Sequence, residues 1–458
     1  MNTRYVLFIT FVSAMGGLLF GYDWVVIGGA KPFYEAFFGI ADYPVLQGWA
    51  MSSALVGCVF GALASGALSD RYGRKYLLLT SAALFVLTSL GTGLAGSFSL
   101  FVVSRILGGV AIGLASNLSP MYIAEVSPAD VRGKFVSINQ LTIVIGILAA
   151  QFVNWLIADP VPPNAAPVDI LHSWNGETGW RWMFWACAIP AVLFFLLMWF
   201  VPESPRWLAK KRENQEKVRT ILTRIGGAQY ADEQLTAIRE TFSSETDRVG
   251  YRELMQPGLR RVLTLGVVIA VFQQWCGINV IFNYAQEVFS AAGYGVSDIL
   301  FNIVITGSVN LVFALVGMFT VDRLGRKALM LLGAGGLAAI YAVMGGMYYF
   351  QLQGLPLLLF VVMAIACYAM SLAPVTWVIL SEIFPNRVRG VALSIATFSL
   401  WTACFLLTYT FPILNESLSA SGTFWLYGAI CVLGFWFIAA KLPETKGKTL
   451  EQIEHELT

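Results

Sequence analysis

The chain has 458 residues, of which 57% are hydrophobic and only 12% are charged, and its formal net charge is +2. An ordinary soluble domain carries about 25% charged residues because its surface must face water. The composition therefore excludes an ordinary water-soluble enzyme and favours a protein whose outer surface contacts lipid.

Twelve apolar stretches follow one another along the chain. A helix rises about 1.5 Å per residue, so about 20 apolar residues cross the hydrocarbon layer of a bilayer. The first stretch is too long for a cleaved signal peptide and carries Asp23, so we interpret it as a span. The twelve predicted spans are 5–30, 46–69, 76–96, 99–122, 134–158, 180–201, 260–289, 297–321, 328–350, 356–380, 389–413 and 421–441.

The polar insert 202–259 separates six spans from six. We therefore predict an all-α polytopic membrane protein with an N-terminal six-helix bundle, 1–201, and a C-terminal six-helix bundle, 260–441. The insert and the tail, 442–458, are predicted to be cytoplasmic. The connections are too short for a soluble enzyme domain, and the sequence has neither a nucleophile–base pair nor a metal-ligand pattern. We expect no enzyme activity, metal or bound cofactor.

Positive charge is concentrated on one side of the predicted membrane. With the N-terminus inside, all but three of the 29 Lys and Arg residues fall on the cytoplasmic side or in the insert. The exceptions are Lys31 and Arg181 on the other side and Arg105 within the fourth span. This asymmetry predicts that both termini are cytoplasmic, and it explains the basic clusters without a nucleic-acid partner.

The two halves of the sequence repeat the same turns. DRYGRK (70–75) follows the second span and DRLGRK (322–327) the eighth, while EVSPADVRG (125–133) follows the fourth and EIFPNRVRG (382–390) the tenth. PESPRWL (202–208) follows the sixth span, and PETKG ends the twelfth. The pairs indicate a duplicated six-helix unit, an arrangement that usually places the substrate near the bilayer midplane.

Charged residues recur together at these turns and have two possible roles. They could form ion pairs that close the cytoplasmic side and break when it opens, or they could only anchor the topology. We favour a cytoplasmic gate. Its candidate residues are Asp70, Arg71, Arg74, Glu125, Arg132, Glu203, Arg206, Asp322, Arg323, Arg326, Glu382, Arg389 and Glu444.

With these motifs, and with QQWCGIN (273–279) in the seventh span, the chain resembles the sugar porter family of the major facilitator superfamily over essentially its whole length. It is most similar to bacterial proton–xylose symporters, plant hexose symporters and animal facilitative glucose carriers. The resemblance implies two pseudo-symmetric six-helix bundles, alternating access and short intracellular helices in the insert.

The resemblance also implies a sugar site between the halves. Neutral amides suit a sugar because they donate and accept hydrogen bonds at a lower desolvation cost than charges. The alternative is that these amides only bond helix to helix. Leu400, Ile147 and Asn283 depart from residues usual in relatives, so the identity of the sugar stays open. The implied site residues are Gln140, Gln273, Gln274, Asn279, Asn310, Trp377 and Trp401, with Phe20 as an apolar wall.

The amides of the seventh span raise a geometric question. On an ideal helix Gln274 and Asn279 lie about 140° apart, because each residue turns by about 100°. Both can face one sugar only if the pocket wraps around the helix or if the helix is irregular near Gly277.

Two intramembrane charges stand out, Asp23 in the first predicted span and Arg105 in the fourth. Charges in such positions are usually functional. Burial raises the pKa of an Asp and a nearby Arg lowers it, so a pair that forms and breaks would load and release a proton. A permanent structural ion pair is the alternative.

These observations predict a proton-coupled symporter for a monosaccharide such as xylose or glucose, working by alternating access. The alternatives are a facilitative uniporter of the same fold, a non-transporting sugar sensor and an antiporter for another small solute. The expected partners are the sugar, the proton as coupling ion and the lipid of a cell membrane, with the protein as a monomer.

Overall fold

The computed structural model describes residues 2–128, 131–162, 165–211, 215–244, 256–352, 354–385 and 388–446. Over these ranges the secondary structure is helical, with no strand. The helices are Thr3–Phe38, Pro44–Tyr72, Arg74–Gly93, Phe98–Val126, Arg132–Ile157, Pro167–Leu171, Asn175–Gly179 (a π-helix), Trp180–Ala186, Ala188–Met198, Pro205–Lys210, Gln215–Gly226, Ala228–Ser244, Pro257–Trp275, Ile278–Asn283, Ala285–Ser290, Val296–Leu324, Arg326–Tyr349, Leu355–Met370, Leu372–Ile383 and Arg389–Lys441.

Eleven helical segments of the described chain are long and apolar enough to cross a membrane. Ten of them match the first ten predicted spans, and we number them as spans one to ten. The eleventh, Gly390–Lys441, covers both remaining predictions. It is interrupted at Ser419, where φ is 61° and ψ is 172°, so the long helix consists of two segments, which we number spans eleven and twelve. The predicted all-α polytopic fold is confirmed.

The insert between spans six and seven contains the short helices that the family resemblance implied. Three helices lie between Pro205 and Ser244, and Ser204 caps the first of them by accepting a hydrogen bond from the Trp207 N–H. Residues 212–214 and 245–255 of the insert lie outside the described residues.

The contacts divide the chain into two compact units. The first contains residues 1–24, 57–147 and 184–248. The second contains residues 25–56, 148–183 and 249–458. The second unit therefore includes the C-terminal part of span one together with the whole of spans seven to twelve. The prediction of two pseudo-symmetric bundles, 1–201 and 260–441, stays a prediction.

Glycines let spans two and four pack closely within the first unit. A Cβ added at Gly57 would lie 1.9 Å from the carbonyl oxygen of Ile106, and one added at Gly61 would lie 2.4 Å from that of Val110. Gly113 faces the same contact, since its added Cβ would lie 2.4 Å from the Cys58 oxygen. Close packing of the two helices accounts for these three glycines.

In the second unit, the C-terminal part of span one packs against spans five and seven. Asn154 of span five donates a hydrogen bond of 2.9 Å from its Nδ2 to the Val26 carbonyl oxygen. A Cβ added at Gly28 would lie 3.0 Å from the Phe282 oxygen and 3.2 Å from the Asn283 oxygen. Gly28 therefore brings the backbone of span one next to that of span seven.

We predict that Gly57→Ala destabilises the protein, because its Cβ overlaps the backbone of span four and forces the two helices apart. Overpacking of this kind costs about 1–3 kcal/mol. Thermal unfolding in detergent should therefore show a lower midpoint. Gly66→Ala is the matched control in the same helix, since nothing lies within 4 Å of its added Cβ. Equal midpoints for the two variants would contradict the packing argument.

Candidate functional site

Four side chains of the second unit form a ladder of hydrogen bonds, which we call the amide ladder. The Gln273 amide donates to the Tyr368 hydroxyl, the Gln274 amide donates to the Gln273 carbonyl oxygen, and the Asn279 amide donates to the Gln274 carbonyl oxygen. The Asn279 Nδ2 also lies 3.5 Å from the sulfur of Cys404. All three amide side chains belong to buried residues, so the ladder holds their orientation inside the protein.

A break in span seven makes the ladder possible. One helix ends at Trp275 and the next begins at Ile278, because Gly277 between them adopts a left-handed conformation with φ of 84°. A side chain there would be strained, and its Cβ would lie 2.7 Å from the Tyr427 ring. The break brings Asn279 to the face that carries Gln274. Of the two explanations that the sequence allowed, the irregular helix is correct.

The other predicted sugar-site residues divide between the units. Asn310 is 6% exposed, and its side chain makes no hydrogen bond to any other described residue, so its amide is available to a ligand. Trp401 is buried, whereas Trp377 is 40% exposed. Gln140 and Phe20 belong to the first unit, where Gln140 is exposed and Phe20 contacts Trp24 edge to face.

Asp23 and Arg105 form a buried ion pair in the first unit. Arg105 Nη1 lies 2.9 Å from Asp23 Oδ1, and Nη2 donates to the Asp23 backbone oxygen at 3.1 Å. Both side chains are at most 5% exposed, and the guanidinium also lies 5.7 Å from the Phe184 ring centre. Asp23 Oδ2 is buried without a hydrogen-bond partner in the described structure.

A carboxylate caps the helix that follows each DRxGRK turn. Glu203 accepts the backbone N–H of Arg74 at 3.0 Å and that of Lys75 at 3.1 Å. A Cβ at Gly73, whose φ is 97°, would lie 2.2 Å from the Glu203 carboxylate, so only glycine fits there. The PESP motif thus supplies the acceptor for the free N–H groups at the start of span three.

The second unit repeats this cap with different residues. Glu444 accepts the N–H of Arg326 at 2.9 Å and that of Lys327 at 3.1 Å, and Gly325 has a φ of 91°. Burial raises the pKa of Glu203, and its backbone hydrogen bonds only partly offset that effect. Burial also acts to raise the pKa of Glu444, but four backbone N–H groups outweigh it and leave the pKa below its usual value.

The second Arg of each turn joins the cap to the neighbouring span. Arg74 pairs with Glu125 at 2.9 Å and with Asp70 at 3.3 Å, and Arg326 pairs with Glu382 at 3.0 Å. Each Arg therefore connects its turn to the C-terminal end of the span that carries the Glu.

Four of the remaining gate candidates lie elsewhere on the protein surface or on an aromatic ring. Arg71 packs on the Tyr72 ring at 5.1 Å, and Arg132, Arg206 and Arg323 are exposed. The side chains of Asp322 and Arg389 lie outside the described residues.

Comparison with known proteins identifies the family. The family described as "Sugar (and other) transporter" matches residues 9–457. The chain belongs to the sugar transporter family. It is 38% identical to the D-xylose-proton symporter of Escherichia coli, over 99% of this chain and 96% of that one. It is 37% identical to the arabinose-proton symporter of Bacillus subtilis, over 98% of this chain and 94% of that one.

The fold agrees with a solved member of the family. The inward-open conformation of the xylose transporter from E. coli superimposes with a TM-score of 0.86 at 37% identity, covering 99% of this chain and 100% of that chain. This sugar transporter family member is thus a multi-pass membrane protein rather than an enzyme, as the sequence predicted.

Sequence reasoning missed several residues of this transporter that the structure places at or near the predicted sites. Tyr368 is part of the amide ladder and Cys404 adjoins it, although an aromatic residue and a lone cysteine in apolar spans resemble packing residues. Lys31 was assigned only to the outer side, yet it is buried with Glu35 and Glu287. The spacing of Lys31 and Glu35, one helical turn apart at the end of an apolar span, could have indicated that pair.

We predict that Glu444→Gln destabilises the transporter at neutral pH by about 1 kcal/mol, the usual effect of losing a helix cap. Because the pKa of Glu444 is lowered in the folded state, its stabilisation is present above the unfolded pKa and is lost as the pH falls through the folded pKa. The difference from wild type in thermal unfolding should therefore shrink on acidification.

The exposed Glu416 provides the matched control, and Glu416→Gln should change stability little at any pH. A Glu444→Gln curve that coincides with the Glu416→Gln curve across the pH range would rule out the cap.

Proposed function

We propose that this protein is a proton-coupled symporter of a monosaccharide that works by alternating access. The observation that carries the proposal is the buried Asp23–Arg105 pair, in which one carboxylate oxygen has no hydrogen-bond partner among the described residues. A uniporter needs no titratable group inside a span. Two similar relatives are proton symporters for xylose and arabinose by name, which supports the same coupling here.

The amide ladder supports a sugar as the cargo. Each amide both donates and accepts, so Gln273, Gln274 and Asn279 can exchange hydrogen bonds among themselves for bonds to sugar hydroxyls. Asn310 offers a further free amide, and Trp401 a buried aromatic surface. We infer a pentose or hexose such as xylose or glucose, with Gln140, Trp377 and Phe20 completing the site.

The proton site works through the balance between burial and the neighbouring guanidinium. Arg105 stabilises the charged form of Asp23, and the apolar surroundings disfavour that form once the pair opens. A proton taken up by Asp23 would release Arg105, and re-formation of the pair would release the proton. Sugar transport is coupled to proton transport if Asp23 binds and releases its proton only in the conformational states that also hold sugar.

The same scheme assigns orientation and gating. We infer that the protein lies in a cell membrane with both termini in the cytoplasm, as the distribution of Lys and Arg indicates. The capped turns with Arg74–Glu125 and Arg326–Glu382 would then form the cytoplasmic gate. We infer a monomer, with lipid and the sugar as its partners.

We predict that Gln274→Ala weakens sugar binding about tenfold or more. The variant removes one hydroxyl partner and leaves the neighbouring amides of the ladder without theirs, which costs about 1–3 kcal/mol, where 1.4 kcal/mol is tenfold in affinity. Calorimetry on folded, detergent-solubilised protein with xylose and glucose measures the effect. Asn117→Ala is the control, because Asn117 bonds to Ala62 and Ser65 away from the ladder. If both variants bind sugar as wild type does, the ladder is not the sugar site.

We predict that Asp23→Asn abolishes sugar accumulation driven by a proton gradient but keeps exchange between equal sugar pools. The amide preserves the shape of the carboxyl group and removes its titration. One coupled proton moving through 100 mV contributes about 2.3 kcal/mol, enough for a sugar gradient of about 50-fold. Uptake into proteoliposomes with an imposed pH gradient measures accumulation. Counterflow without a gradient measures exchange.

Two results would count against this scheme. Wild-type protein that never concentrates sugar would be a uniporter. An Asp23→Asn variant that concentrates sugar as well as wild type would place the coupling proton elsewhere.

A further inference from the structure

A second buried ionic cluster lies in the second unit, apart from the Asp23–Arg105 pair. Lys31 Nζ lies 2.8 Å from Glu35 Oε1 and directly contacts Glu287 Oε1. The side chains of Lys31, Glu35 and Glu287 are 2%, 8% and 22% exposed. Lys31 and Glu35 occupy successive turns near the end of span one, whereas Glu287 belongs to the last helical segment of span seven, Ala285–Ser290.

The cluster contains one positive charge and two carboxylates. The charged groups that face Glu35 are Lys31 and Glu287, and the neighbouring titratable side chains are the uncharged phenols Tyr34 and Tyr284, with Tyr427 beyond Tyr284. The ammonium group also lies 5.7 Å from the centre of the Tyr284 ring. If both acids were ionised, one negative charge would remain uncompensated in a buried place, which is strongly unfavourable.

One carboxylate oxygen in the cluster lacks a hydrogen-bond donor. Glu287 Oε2 is buried and has no hydrogen-bond partner in the described structure. Glu35 Oε1, by contrast, faces the Lys31 ammonium at 2.8 Å. A proton bound to one of the two carboxylates would balance the charge of the cluster.

We propose that Lys31, Glu35 and Glu287 form a second proton-binding site, in which one of the two carboxylates binds a proton and Lys31 pairs with the single negative charge that remains. Hydronium supplies the proton: one of its O–H bonds breaks, an O–H bond forms on a carboxylate oxygen, and a water molecule is left. Two carboxylates in one site commonly bind a proton in this way, because they cannot both ionise at low cost.

Proton binding is linked to the contact between spans one and seven. If the spans separated, Lys31 and Glu35 would remain a balanced pair within one helix, and water entering the gap would solvate the Glu287 carboxylate. Neither carboxylate would then need the proton. Gly28, one helical turn before Lys31, allows the backbones of spans one and seven to approach closely. The cluster therefore binds its proton when this contact between the spans is closed. This link to transport, unlike the proton site itself, rests on the proposed alternating access.

Infrared difference spectroscopy tests the site directly, since a protonated carboxyl group has a carbonyl stretching band that a carboxylate lacks. Purified full-length protein in detergent should show such a band at neutral pH. Both Glu35→Gln and Glu287→Gln should lose the band, because either change leaves one carboxylate balanced by Lys31. Lys31→Met should retain the band to higher pH, because two carboxylates then face each other without a cation.

The Asp23→Asn variant separates this site from the first one and should keep the band. A wild-type spectrum without the band at neutral pH would overturn the proposal, and so would a band that survives in both Glu→Gln variants. If Lys31→Met fails to fold, the two Glu→Gln variants decide the matter, since each leaves a neutral pair. The band reports protonation and not transport, so this site and the proposed symport can fail independently.

Discussion

A charge buried among apolar helices is stable only when an opposite charge or several aligned N–H groups face it, and this constraint shapes each functional part of the molecule. Asp23 is stabilised by Arg105 and Glu203 by the free N–H groups at the start of span three. Each of these carboxylates can lose its interaction only if the helices that carry the two partners separate or if a proton neutralises the carboxylate. The interactions that stabilise the helices are therefore the ones that a proton or a movement of the spans would alter.

The two DRxGRK turns have the same kind of helix cap, although the surroundings of the two caps differ. In both, a positive-φ glycine brings a helix N-terminus onto a carboxylate, and the next Arg reaches a Glu on a neighbouring span. Yet the two caps differ in burial, so the pKa of Glu203 is raised while that of Glu444 is lowered. As the pH falls, protonation would therefore weaken the first cap before the second. The sequence repeat thus does not imply equal electrostatics.

Features that depend on composition or on nearest neighbours along the chain were predictable. The apolar stretches indicated the spans because crossing a bilayer sets their length, and the two charges inside spans indicated the Asp23–Arg105 contact. The helix break at Gly277 was one of two stated explanations. The cap by Glu203 and the contact of Lys31 with Glu287 were not predictable, because both join residues far apart in sequence whose meeting depends on how whole helices pack. Tyr368 was missed for the same reason.

Span seven connects these features physically. It consists of three helices, interrupted at Gly277 and at Tyr284, so its amides and Glu287 lie on separate helical segments. A continuous helix resists tilting because every turn shares hydrogen bonds with the next, and each interruption removes some of those bonds. A sugar that bonded to Asn279 would pull on the middle segment, whose far end adjoins the segment that holds Glu287 against Lys31. If the amide ladder binds sugar and the ionic cluster binds a proton, as proposed, this span would link the two sites without direct contact.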